Sequence, residues 1–354
     1  MTLGAIKLPP NGIPRFYLGG PAIEELRGIE LGGDRVPEEW IGSTTTVFGE
    51  TELGLSRLDD GELLRDVIAR DPEGWLGPTH AERFGADPAL LVKLLDAGER
   101  LPVHVHPDGP FAREHLGTKF GKTEAWIVIA AEPGAQVHLG WRDDVSANTL
   151  RAWIEEQDHD AMLAALNPVD VKAGDAIFVP AGLAHAIGDG LLIIELQEPS
   201  DMSVLLEWDG FGIEDEDEAT LGLGWDTALG CVELAARDAA PLRGPRTDGV
   251  VAELLPTAAS PVFTAQRIAP AGGPARLEVG FAVVVVTDGS GRIGELDVER
   301  GAAVLVPYAA GAVTARGELT AIVCRPPASG VASGGERPAP GAPAGAGGDA
   351  GAAP

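Results

Sequence analysis

Short apolar runs with a period of two, bounded by turn signals, recur along this chain and predict a protein built mainly from β-strands. Residues 89–96 read as a buried strand. Residues 124–131 are apolar and β-branched after their opening Glu. Residues 135–141 are then expected as the hairpin partner of that strand across the Pro133-Gly134 turn. Between 145 and 166 the period changes. Leu150, Trp153, Ile154, Met162 and Leu166 sit among charges, which predicts two short helices inserted into the sheet. Strands resume at 169–171, Ala176–Val179 and 191–196, the last after the Asp189-Gly190 turn. Upstream, residues 61–68 have helical spacing, with Asp59 or Asp60 as the expected cap.

The pattern also repeats itself. Gly174 to Pro180 is a glycine turn, a short apolar strand and a proline, and Gly301 to Pro307 has the same form. The first run continues to His185, whereas the second continues through Tyr308 and Gly311 with no histidine. Two related barrels are therefore expected, one at 1–235 with the helical insertion and one, without metal ligands, at 240–326. Residues 327–354 are Ala, Gly and Pro with few charges and are expected to stay disordered.

Composition narrows the function. The 354 residues carry 54 acidic and 26 basic side chains, a net charge of −28 that repels a phosphate backbone and argues against nucleic-acid binding. Local Lys or Arg residues can still hold a small anion in a pocket. Cys231 and Cys324 make neither a disulfide framework nor a metal knuckle. No signal-like start and no apolar run of spanning length are present, so a cytoplasmic location without membrane contact is expected.

The chemistry concentrates in a few positions. His104 and His106 are separated by one residue, so on an extended strand they face the same way. Glu124, from a neighbouring strand, and His185, from a turn after a third, can join them. Three imidazoles and a carboxylate suit one divalent ion, zinc foremost, with manganese, iron or nickel as alternatives. Lys122 is two residues before Glu124 and should face inward beside such an ion, while Glu195 and Gln197 share that spacing on another strand. Lys119 and Arg113 fall in a loop expected over the site, where Lys119 is a candidate for substrate contact. His80, His115, His138 and His159 lack a partner pattern and read as ordinary structure. The acidic run 214–218 lacks the glycine and spacing of a calcium loop and reads as a solvated turn.

Gly174-x5-Pro180-x-Gly182-x2-His185 resembles the second motif of the cupin superfamily, whose jelly-roll barrels hold a metal between their sheets. More narrowly, the chain resembles the type I mannose-6-phosphate isomerases, especially the short bacterial form. The resemblance rests on the runs 91–96, 106–108, 121–126, 184–188 and 195–201, with Pro37-Glu38-Glu39-Trp40 resembling an early segment of that family. It implies a two-barrel fold, one metal held by His104, His106, Glu124 and His185, and interconversion of mannose 6-phosphate and fructose 6-phosphate through an enediolate. It also implies Lys122 and Glu195 as catalytic groups and Lys119 and Gln197 as substrate contacts, in a monomer or homodimer. The chain departs from the family twice. His104 stands where the family has Gln, and Leu205 stands where it carries an arginine thought to stabilise the enediolate, with no basic residue between Asp201 and Arg237. An isomerase or epimerase of another sugar, phosphorylated or not, and a non-catalytic sugar-binding cupin are the competing readings.

Overall fold

The computed structural model describes residues 3–213 and 215–327. Glu214 and the expected tail from residue 328 onward lie outside the described residues. Three antiparallel sheets organise the rest. The first, of six strands, runs in the order Gly12–Ile13, Glu38–Ile41, Leu91–Ala97, Leu191–Gln197, Glu124–Ala131, Ala176–Val179. The second, of five, runs Val204–Leu205, His104–Val105, His185–Ile187, Gln136–Trp141, Leu166–Asp170. The third, of eight, is centred on the long strands Ala282–Ile293 and Val313–Arg325.

Along the chain, strands from Leu91 to Leu205 alternate between the six- and five-stranded sheets, as in a jelly roll. This overturns the expected hairpin. Glu124–Ala131 pairs with Leu191–Gln197 and Ala176–Val179, while Gln136–Trp141 crosses to the other sheet and pairs with His185–Ile187 and Leu166–Asp170. Both edges of Glu124–Ala131 are taken by strands distant in sequence, so the local turn sets a crossing and not a pairing.

The one break in alternation is the helical insertion. Gln136–Trp141 and Leu166–Asp170 form a hairpin whose connection holds helices Ala147–Glu156 and His159–Ala165. Ser146 caps the first by accepting from the Thr149 N–H, and Asp158 caps the second by accepting from the Ala161 N–H. Their apolar positions Leu150, Ile154 and Met162 are buried with Val103, Val105, Ala184, Ala186 and Val204 in one cluster. The insertion therefore covers the outer face of the five-stranded sheet, and the residues alternating with these, among them His104 and His185, point to its inner face.

Every residue of Leu91–Ala97 and Leu191–Gln197, the two central strands of the six-stranded sheet, is buried. One cluster joins Val92, Leu94, Ile194 and Leu196 with Val283, Leu305, Ile322 and Cys324 of the eight-stranded sheet. Gly42 marks the seam: at φ +61°, a Cβ there would stand 3.3 Å from side-chain atoms of both Leu8 and Leu305. The strand Ile6–Lys7 also pairs with Ala303–Val306, so the start of the chain is stitched into the third sheet. That sheet encloses a separate core of Val284, Val286, Ile293, Val304 and Val323. The two sequence repeats take the same form, with Gly174 at φ +86° before Ala176–Val179 and Gly301 at φ +88° before Ala303–Val306.

Two smaller expectations are corrected. The helix expected at 61–68 spans Leu64–Arg70 with Leu63 at its N-cap and no side-chain cap; Asp60 instead accepts from the Glu62 N–H in the preceding turn. The strand expected from 89 begins at Leu91, because Ala89 has φ +53° and cannot continue an extended run. Among the described residues no helix is long and apolar enough to cross a membrane.

The shared core makes a direct expectation. Leu305 is fully buried at the seam, so Leu305→Ala should cost about 3 kcal/mol. Urea unfolding followed by circular dichroism should keep a single transition at a lower midpoint. Two separated transitions would show that the sheets unfold independently.

A buried histidine cluster beside an ionic network

Between the inner faces of the first two sheets lies a cavity of about 370 Å³. The five-stranded sheet brings histidines to it. His104 pairs in register with His185 on one side and Leu205 on the other, and His106 follows on the same face. One ring nitrogen from each of His104, His106 and His185 lies within 4.8 Å of the others, and all three side chains are buried. Each ring is oriented the same way: Nδ1 meets a backbone carbonyl, that of Pro102 for His104 (2.8 Å), Met202 for His106 (2.9 Å) and Leu183 for His185 (2.8 Å). A carbonyl only accepts, so Nδ1 carries the hydrogen and Nε2 keeps its lone pair for the centre.

The six-stranded sheet brings Glu124. Its Oε1 is 3.0 Å from His106 Nε2 and 2.9 Å from Lys122 Nζ, and its Oε2 is 3.7 Å from His185 Nε2. His185 Nε2 and Glu124 Oε1 are nonetheless buried without a hydrogen bond of acceptable geometry. Burial and the neighbouring His106 push His185 down to about 3, and burial also holds His104 and His106 below the ordinary imidazole range. Burial opposes the Glu124 charge, but His106 and Lys122 outweigh it and hold that carboxyl well below its usual range. Three neutral imidazoles, one carboxylate and two orphaned ligand-type atoms at one point fit a divalent metal ion and satisfy its preference for nitrogen and oxygen donors.

Next to this cluster is a buried ionic network that sequence reasoning did not single out as part of the site. Lys93 stands on the cavity face of Leu91–Ala97, with Nζ 3.3 Å from Glu38, 3.7 Å from Glu195 and 3.7 Å from Asp201. Arg15 donates from Nη1 to Asp201 Oδ2 (2.8 Å), and its Nε is 3.4 Å from Glu38. Glu38 also accepts from Trp40 Nε1 (2.6 Å) and from the Tyr17 hydroxyl. Burial would raise the Glu38 carboxyl, yet Lys93 and Arg15 bring it down to about 2. Glu195 behaves oppositely: burial and then the Glu124 charge push it up to about 8. Two carboxyls in one cavity are thus driven apart in proton affinity, one by facing cations and the other by burial beside a second carboxylate.

Of the sequence candidates, His104, Lys122, Glu124 and Glu195 line the cavity, and His106 and His185 lie in the same cluster. Lys119 does not line it; it is exposed, with Nζ 5.1 Å from the centroids of the Phe84 and Phe120 rings. Gln197 is fully buried and donates to the carbonyls of Ser200 and Glu198, fixing the turn that leads to Asp201. Arg15, Tyr17, Glu38, Lys93 and Asp201 were the residues missed. Lys93 had a signal, a lone lysine inside an apolar strand pattern, since a buried lysine demands partners. Arg15 and Tyr17 had none.

Comparison with known proteins gives this geometry a context. No protein-family model matches the chain. A mannose-6-phosphate isomerase of Streptococcus mutans is 39% identical over 176 residues, covering 49% of this chain and 52% of that protein. The mannose-6-phosphate isomerase ManA of Bacillus subtilis is 31% identical over 194 residues, covering 53% and 56%. Over that stretch its sequence is similar to curated mannose-6-phosphate isomerases. It spans about half the length of the curated relatives it matches. The fold extends the likeness. The crystal structure of mannose 6-phosphate isomerase from Bacillus subtilis superposes with a TM-score of 0.75 at 23% identity, covering 91% of this chain and 100% of that one. Phosphomannose isomerase from Salmonella typhimurium gives 0.72 at 16% identity, covering 92% and 100%.

Metal uptake tests the histidine cluster. Full-length protein should take up one equivalent of zinc, measured by competition with a chromophoric chelator. His185→Ala should bind at least about 100-fold more weakly, because it removes one of few ligands. His138→Ala, outside the cluster, should bind as the parent does. Equal affinity in all three proteins would remove the cluster as the site.

Proposed function

We propose that this chain is a metal-dependent aldose–ketose isomerase that interconverts mannose 6-phosphate and fructose 6-phosphate. The observation that carries the reading is the convergence of three Nδ1-anchored imidazoles, Glu124, Lys122 and Glu195 in one cavity. The relatives by sequence and fold support the same chemistry.

In this reading His104, His106, Glu124 and His185 hold the metal, which we take to be zinc. A bound divalent ion supplies polarisation of the substrate carbonyl and its neighbouring hydroxyl. Isomerisation then needs one proton moved between C2 and C1 and one between the two oxygens. Glu195 would take the C2 proton of the open-chain aldose as its C–H electron pair forms the enediolate, and would return that proton to C1. Glu195 is buried in the cavity with Lys93 3.7 Å away, a position from which a carboxylate can take up and return one proton. Lys122, 2.9 Å from Glu124, would place an ammonium beside the enediolate oxygens, where it can give a proton to O1 and recover one from O2. The wall next to His104 is Leu205, so charge stabilisation from that side is missing, and Lys122 is left to supply it.

The cavity also supports a second reading, an isomerase of an unphosphorylated sugar. Its lining includes Glu38, Glu124, Glu195, Asp201 and Glu218 against Arg15, Lys93 and Lys122, an acidic surround for a dianion. The setting we infer is cytoplasmic, as a monomer or homodimer, with two units dividing near residues 235–240.

A coupled assay of metal-loaded protein on mannose 6-phosphate, free mannose and free lyxose separates these readings. Turnover of the phosphosugar is expected, with Glu195→Gln lowering kcat by about 10² to 10⁴ while metal content is unchanged. Turnover confined to the free sugars would move the assignment to the second reading. Metal-loaded protein inert on all three would leave a binding role.

A further inference from the structure

The lining of the cavity poses a problem for any phosphorylated substrate, because it holds more carboxylates than cations and the loop lysine Lys119 lies elsewhere. Lys93 is unavailable to a ligand's phosphate: its ammonium is almost wholly buried and surrounded by Glu38, Glu195 and Asp201. Lys122 is engaged with Glu124 and His106 at the histidine cluster. Arg15 differs from both.

A guanidinium has five N–H donors. Arg15 makes one side-chain hydrogen bond within the described residues, from Nη1 to Asp201, its buried Nε faces Glu38 at 3.4 Å, and no hydrogen bond is made from Nη2 among the described residues. Its side chain is 13% exposed, the most open of the three cavity cations, against 2% for Lys93 and 7% for Lys122. Asp201 is itself fixed, accepting from the Phe48 N–H (3.3 Å), so the guanidinium is held in one orientation before any ligand arrives. Phe48 lines the cavity and is 44% exposed, which puts this wall at its mouth.

We propose that Arg15 is the phosphate-recognition residue of this site, its remaining Nη N–H groups gripping the terminal phosphate of an open-chain sugar whose other end lies at the histidine cluster. The inference rests on the isomerase reading above. It deepens it by naming the group that selects a phosphorylated over a free sugar. Asp201 and Glu38 serve Arg15 as positioning residues, holding the fork and keeping it charged. A guanidinium suits the task because it offers paired donors to phosphate oxygens where an ammonium offers a point charge.

Steady-state kinetics of metal-loaded Arg15→Gln and Arg15→Lys on mannose 6-phosphate, with inorganic phosphate as inhibitor, test this. A contact made equally in ground and transition states changes KM and spares kcat. Arg15→Gln should raise KM by about 30-fold or more, the scale of a lost charged hydrogen bond, with kcat within about threefold. Competitive inhibition by inorganic phosphate should be lost with it. Arg15→Lys keeps the ion pair with Asp201 and guards against a folding defect; it should show the same split with a smaller rise in KM. A fall in kcat at unchanged KM, or undiminished inhibition by phosphate in either variant, would overturn the assignment. A parent enzyme inert on mannose 6-phosphate would instead defeat the isomerase reading itself.

Discussion

Burial of the Lys93 ammonium is the constraint from which the rest of the site follows. An unpaired charge at that depth costs several kcal/mol, so the chain must deliver carboxylates to it. It does so from three separate places: Glu38 from the strand beside Lys93, Glu195 from the strand on its other side, and Asp201 from the turn after Gln197. Asp201 then requires Arg15, and Glu38 requires Tyr17 and Trp40. The network couples the first forty residues to the two central strands of the six-stranded sheet. Lys93, Glu38 and Asp201 each have more than one polar partner, so this wall of the cavity is cross-braced from several segments at once.

That bracing matters because the reacting groups divide between two sheets. The imidazoles come from the five-stranded sheet and its following turn, whereas Lys93, Glu124 and Glu195 come from the six-stranded sheet. Neither sheet has a complete site. Closing one onto the other creates it, and the helical insertion, packed on the outer face of the five-stranded sheet, fixes the side from which His104 and His185 project.

Much of this was legible in the sequence, and the reasons differ by feature. His104, His106, Glu124 and His185 are readable because strand alternation and metal-ligand preference act over a few residues. The helices within 145–166 are readable because a 3.6 period stands out against strands. The pairing of Glu124–Ala131 is not, because a strand's partners are chosen by the whole sheet and the Pro133-Gly134 turn reads equally well as a hairpin or a crossing. Arg15 and Asp201 are 186 residues apart. No local pattern carries such a pair, and Lys119, adjacent to the motif in sequence, is turned instead onto Phe84 and Phe120.

The same distinction bears on Leu205. Read along the chain, it marks a lost cation. In the fold it is the register neighbour of His104, an apolar wall beside a metal-type cluster in a cavity that already carries Lys122, Lys93 and Arg15 from elsewhere. Charge in a low-dielectric cavity acts through position and not through sequence order. A cation can therefore be withdrawn from one strand when buried groups on two others face the same space, provided each keeps a carboxylate to hold it there. The acidic lining, which taken alone disfavours an anionic ligand, is what fixes the cations that would receive one.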